Sequence, residues 1–227
     1  MNIINEAKMK LEYLDKLKKM CNSLINSAEE LDLRGFKGIK IIQDSLLHPT
    51  SDGNTRDKTI LLPKDKTEKY LKEENYDLIK STIYHELCHI DLSNKLPYLH
   101  DLHKQSMEEE DYIKSFTIMI YIEYIAHLKS SKIETCKTKN IFYDSVNKKH
   151  WNFLDECDKI MFIKTTPYII GRDEKSEYLN KLENSELRKR ILEVAKELKK
   201  LPKSNFVDSY YILHDLEILV SKYITNY

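Results

Sequence analysis

The chain has 227 residues, 41% hydrophobic and 33% charged, enough to bury one substantial core and typical of a soluble globular protein. Lys plus Arg equals Asp plus Glu at 37 each, so no global field draws the protein to nucleic acid or to an anionic membrane. No apolar run approaches the roughly eighteen residues of a membrane span, and Met1 to Lys8 lacks a basic segment followed by an apolar core. A cytoplasmic protein is expected, with Cys21, Cys88, Cys136 and Cys157 as reduced thiols because none is closely paired in sequence.

Only four Gly and five Pro interrupt the chain, which favours long helices. Met9, Leu11, Leu14, Leu17, Met20, Cys21, Leu24 and Ile25 recur at helical spacing and predict a first helix that ends before Gly35. Ile39 to Ile42 and Thr59 to Leu62 read as short strands separated by the turn-rich His48-Pro49-Thr50-Ser51-Asp52-Gly53-Asn54, so a small antiparallel sheet is expected. Tyr76 to Asp91 contains neither Gly nor Pro and spaces Ile79, Ile83, Leu87 and Ile90 as one buried helical stripe. Ser106 followed by Glu108-Glu109-Glu110-Asp111 reads as a capped, solvated helix start, and Phe116 to Leu128 as a mostly buried helix.

Further helices are expected near Ser145 to Phe162, Ser185 to Leu201 and Ser209 to Ile224, with a loop around Thr165 to Gly171. Trp151, Leu154, Leu192, Val194, Leu198, Leu213, Leu216, Leu219 and Val220 supply a second core. The basic runs Arg188-Lys189-Arg190 and Lys199-Lys200 read as solvated helix faces. The fold expected is α+β, mainly α with a small antiparallel sheet. It divides into a lobe over 1–135, holding the first helix, the sheet and two long helices, and a helical lobe over 136–227.

One string states a chemistry. His85-Glu86-Leu87-Cys88-His89 is H-E-x-x-H within the predicted helix, where residues four apart stack one turn above each other and can offer two imidazole nitrogens to one metal ion. Glu86 lies beside them, positioned for general-base work. Two histidines flanking a carboxylate in one buried turn need strong partners, and a divalent metal is the most economical. Cys88 points away from the two imidazoles on the helical wheel and reads as packing.

Catalytic zinc takes three protein ligands and leaves one position open. Glu123 is the only acid in the run from Phe116 to Leu128 and is the leading third ligand, since an unpaired buried carboxylate is costly and the small Ala126 would let a neighbouring helix approach closely. His127, one turn on, is an alternative ligand, or else it orients a ligand from behind or meets a developing oxyanion. Glu109 is the other rival. A structural pairing of Glu123 with His127 or with a Lys is the competing explanation. His150, His214 and the 15 tyrosines are too numerous for the oxyanion role to be assigned among them.

The H-E-L-C-H helix followed by a helix carrying Glu123-x-x-Ala126 resembles the gluzincin branch of the zincin metallopeptidases. It is most similar there to the ImmA/IrrE-type and phage-borne intracellular peptidases, over about 70 residues from Lys58 to Leu128. The resemblance implies a zincin-like two-lobed domain, one zinc ion held by His85, His89 and Glu123, Glu86 as general base, and a peptide or protein substrate. It also implies a strand bordering the cleft, for which Thr59 to Leu62 is the candidate edge. The chain departs from metzincins, having no third His after His89, and from thermolysin-like enzymes, having no Asn-Glu pair, and no helix-turn-helix segment is evident. Two other functions fit the residues: a helical interaction module in which the motif is structural or degenerate, and a di-iron carboxylate protein. The latter normally has two Glu-x-x-His units where this chain has one.

Overall fold

A computed structural model describes residues 2–47, 51–133, 143–144, 146–173, 179–203 and 206–225. His48, Pro49 and Thr50 of the expected turn, Cys136, and Ser145 at an expected helix start lie outside the described residues. The chain is mainly helical with a small mixed sheet, and it divides into two compact units. One is Met1–Asn94 with Lys132–Thr135, and the other is Lys95–Ser131 with Cys136–Tyr227. The division falls earlier than the boundary at 135 and 136 that the sequence suggested, so the helix carrying Glu123 belongs to the second unit.

The first unit contains β1 (Ile3–Asn5), α1 (Leu11–Ser27), β2 (Gly38–Ile42), β3 (Asn54–Arg56), β4 (Thr59–Pro63), α2 (Lys64–Lys72) and α3 (Tyr76–Lys95). The sheet order is β1-β2-β4-β3, with β1/β2 and β2/β4 parallel and only β3/β4 antiparallel. The expected antiparallel sheet is therefore mixed. The physical reason is visible in β2 and β4, which are apolar almost continuously rather than alternating, the pattern of strands covered on both faces. Gly38 permits the first pairing: its φ is +124°, and a Cβ there would stand 2.3 Å from the Asn2 carbonyl oxygen.

Three polar residues, Asn54-Thr55-Arg56, form β3, which explains why hydrophobic patterning did not reveal it. It turns back into β4 through Asp57 and Lys58, both at positive φ (46° and 58°), as a two-residue hairpin with right-handed strand twist requires. Thr59 to Leu62 is consequently an interior strand between β2 and β3, and the outer edge belongs to β3. This corrects the expected edge.

Pro97 opens α4 (Pro97–Glu108) at the head of the second unit, followed by α5 (Tyr112–Ser130), α6 (Glu156–Arg172), α7 (Ser185–Leu198) and α8 (His214–Thr225). α5 packs against α4, α6 and α8, and it is accordingly buried nearly all round. Polar side chains cap these helices: the Asp208 carboxylate accepts the Tyr98 and Leu99 N–H groups, Asp111 accepts Lys114 N–H, and Asn184 accepts Leu187 N–H. Ser106 is not a cap, because it lies in the last turn of α4 and donates to the Leu102 carbonyl. The acids after it end one helix, and Asp111 starts the next.

The largest departure lies at Thr165 to Gly171, expected as a loop and found within α6, with Pro167 inside the helix. Pro and Gly normally punctuate helices. Here Ile163, Ile169 and Ile170 are buried, and Gly171 packs so tightly on α5 that a Cβ would lie 2.9 Å from the Tyr124 carbonyl oxygen and 2.9 Å from the Leu128 nitrogen. Tertiary burial offsets the local cost. Trp151, Val194, Leu198, Leu213, Leu216 and Val220 are buried as expected, whereas Leu154 (74%) and Leu192 (47%) are exposed. Arg190 is not on a solvated face: its guanidinium lies over the rings of Phe153 and Tyr223.

Candidate metal half-sites

Four apolar residues, Ile79, Ile83, Leu87 and Ile90, fix the orientation of α3 by burying one face, each with 3% or less of its surface exposed. Cys88 is fully buried, in keeping with packing. His85 and His89 are half-buried, one turn apart on the adjoining face. Their Nε2 atoms stand 3.0 Å apart with the rings at 87°, close enough for one imidazole N–H to donate to the other ring when no ion lies between them. Two imidazoles holding one tetrahedral zinc at Zn–N of about 2.0 to 2.1 Å have their nitrogens about 3.3 Å apart. This spacing and chemistry fit a zinc ion.

Between the two histidines in sequence, Glu86 is 6% exposed. The Thr55 hydroxyl on β3 donates to its Oε2 at 2.7 Å and lies 3.2 Å from its backbone carbonyl. Just before that strand, Gly53 runs close to α3. A Cβ there would meet the Thr82 methyl at 2.9 Å and Glu86 Cγ at 3.4 Å. A polar edge strand thus braces the carboxylate.

The second unit holds the other candidates on α5. Glu123 Oε2 and His127 Nε2 are 3.5 Å apart, with side chains 31% and 10% exposed. His127 Nδ1 accepts a hydrogen bond from the Arg172 guanidinium. That guanidinium lies over the Tyr168 ring with Cζ 3.4 Å from its centroid, and the Tyr168 and His127 rings are 4.6 Å apart. The rival Glu109 caps the C-terminal end of α4, exposed, and its Oε1 accepts from the Gln105 amide at 2.7 Å. His150 and His214 are also exposed.

Thr55, Gly53, Tyr168, Gly171 and Arg172 were not singled out from sequence. β3 has no apolar pattern, and the other three sit in or beside the stretch read as a loop. Their one sequence signal is Tyr168 and Arg172 at helical spacing, visible only once the helix is granted. Another histidine of this unit, His103 on α4, is held below its ordinary value of 6.5 by burial and by His100, against opposing pulls from Ser115 and Glu123. Its Nδ1 lies 3.1 Å from the Ser115 hydroxyl oxygen.

Among the described residues, no helix is long and apolar enough to cross a membrane, and Cys21, Cys88 and Cys157 form no disulfide. Burial pushes the Cys21 thiol up to about 12. No family model, curated protein or solved structure matches the chain.

Proposed function

We propose that the chain is a zinc-dependent peptidase with a zincin-like site. The observation carrying this reading is the close approach of His85 Nε2 and His89 Nε2, 3.0 Å apart, on the helix that also carries Glu86. The first unit offers its imidazole donors from α3 and the second a carboxylate from α5. In the proposed site His85, His89 and Glu123 are the three protein ligands and one position stays open. Zinc held there would supply a Lewis acid, lowering the pKa of water towards about 7 and polarising the scissile carbonyl.

Glu86 does the proton work. Its carboxylate takes a proton from the attacking water as oxygen bonds to the carbonyl carbon. It then delivers that proton to the departing amine nitrogen as the C–N bond breaks, leaving a carboxylate and an amine. The Thr55 hydroxyl donates to Oε2 and so aims the carboxylate that takes the proton in this scheme. The outer edge of β3 carries Thr55, and an extended substrate pairing with that edge through backbone hydrogen bonds would lie next to Glu86. A peptide fits this arrangement.

The test combines metal content with turnover on a peptide library read by mass spectrometry. The expected result is one zinc per chain in the native protein and in Glu86→Gln, loss of zinc in His85→Ala, and a fall in cleavage of about a hundredfold or more in Glu86→Gln. Glu86→Gln protein that cleaves normally would remove the general base. Native protein without stoichiometric zinc would favour the interaction module instead.

A further inference from the structure

His127 is enclosed by three groups of its own unit, and one of them dictates where its proton sits. Arg172, at the last position of α6, meets Nδ1 with a guanidinium N–H. Arginine carries five N–H donors, no acceptor and a permanent charge. An imidazole nitrogen facing it must therefore present a lone pair. The opposite nitrogen, Nε2, faces Glu123 Oε2 at 3.5 Å, and a carboxylate oxygen there favours an N–H. Both neighbours demand the same tautomer.

Three features hold the guanidinium to this task. Tyr168, one turn earlier on α6, stacks beneath it with 3.4 Å from Cζ to the ring centroid. The same ring lies 4.6 Å from the imidazole at 56°, so it contacts both partners of the hydrogen bond. Gly171 lets α6 approach α5 at His127 itself, where a Cβ would come within 2.7 Å of His127 Cβ.

We infer that Arg172 is a positioning residue that keeps His127 Nδ1 a hydrogen-bond acceptor and so places the ring's N–H at Nε2, making it an N–H donor and not a metal ligand. Ligation through Nε2 would require that nitrogen to lose its proton to Nδ1, which would break the Arg172 hydrogen bond and set two N–H groups against each other. Glu123 is then left as the ligand from α5. Resting on the peptidase reading, the Nε2–H is the donor that meets negative charge developing on the substrate carbonyl oxygen. The tautomer itself does not depend on that reading.

The experiment uses the full-length, metal-free protein labelled with 15N-histidine, and two-bond proton–nitrogen correlation spectra that distinguish protonated from bare ring nitrogens. His127 is assigned by the signal missing from His127→Gln. The expected spectrum shows bare Nδ1 and protonated Nε2 in the native protein, a shift to a mixture in Arg172→Met, and retention of the native tautomer in Arg172→Lys, which keeps a donor-only cation. A native His127 protonated at Nδ1, or exchanging between tautomers, overturns the inference without need of any Arg172 variant. An unchanged tautomer in Arg172→Met overturns the role of Arg172. Because no zinc is present, failure of the peptidase reading and failure of this one appear in different measurements.

Discussion

Glu86 in the first unit and His127 in the second are each braced by a side chain from a segment that carries no motif, yet the two braces differ in kind. Thr55 offers a hydroxyl, which rotates, donates or accepts, and lies within reach of both Glu86 Oε2 and the Glu86 backbone carbonyl. It aims the carboxylate. Arg172 offers only N–H groups and so dictates a protonation pattern on the ring it touches. On the proposed reading, the group that cycles protons is held by a hydroxyl, and the one that keeps its N–H in place is held by a cation.

Backbone contact distinguishes the two regions further. At Gly171 an added methyl would strike His127 Cβ at 2.7 Å and backbone atoms of Leu128 and Tyr124 at 2.9 Å, none of which can swing aside. Gly171→Ala is expected to cost about 2 to 3 kcal/mol despite the better helix propensity of alanine. It should also disturb the Arg172 hydrogen bond to His127. At Gly53 the closest atom is a side-chain methyl, Thr82 Cγ2 at 2.9 Å, so Gly53→Ala should cost less. Thermal unfolding of the two variants checks the order, and equal losses would mean that α6 and α5 are not rigidly apposed.

Thr55→Val removes the hydroxyl while keeping the shape. On the proposed reading, zinc content should be unchanged and kcat/KM for peptide cleavage should fall about tenfold, the scale typical of a group that orients a functional side chain through one hydrogen bond. Thr55→Ser should recover most of it. Full activity in Thr55→Val would show that Glu86 is aimed by packing alone.

The smallest effect concerns His103. Burial holds its folded-state value below the ordinary 6.5, so between those two values the unfolded chain binds more protons than the folded one. The stability it contributes is complete above pH 6.5 and is lost as pH falls below that towards the lowered folded value. In His103→Gln, denaturation midpoints measured above and below pH 6.5 should therefore differ less than in the native protein. An unchanged difference would assign the acid sensitivity to other groups.

How much of this was legible in the sequence depended on whether one pattern dominated a segment. α3 was, because Ile79, Ile83, Leu87 and Ile90 share one face and no Gly or Pro interrupts them, and its motif came with it. The mixture of helices with a small sheet was also legible. The strand directions were not, since parallel pairing of β2 with β1 and β4 is a long-range choice that short apolar runs do not encode. β3 escaped because it is polar, and α6 because Pro167 and Gly171 announce a break that burial overrides. Both misreadings fell on segments that brace candidate site residues, so the motif was readable and what aims it was not.

The β3–β4 hairpin closes within a few residues and places Thr55 on the sheet's outermost strand, paired on one side only. Such a strand can detach while β2, β4 and the helices stay intact, because local opening of an edge costs far less than global unfolding. On the proposed reading, warming should silence the protein before it melts, with Thr55 leaving Glu86 misaimed inside an otherwise native fold. The thermal limit of function would then be set by three residues, and stiffening that hairpin would raise it without touching the core.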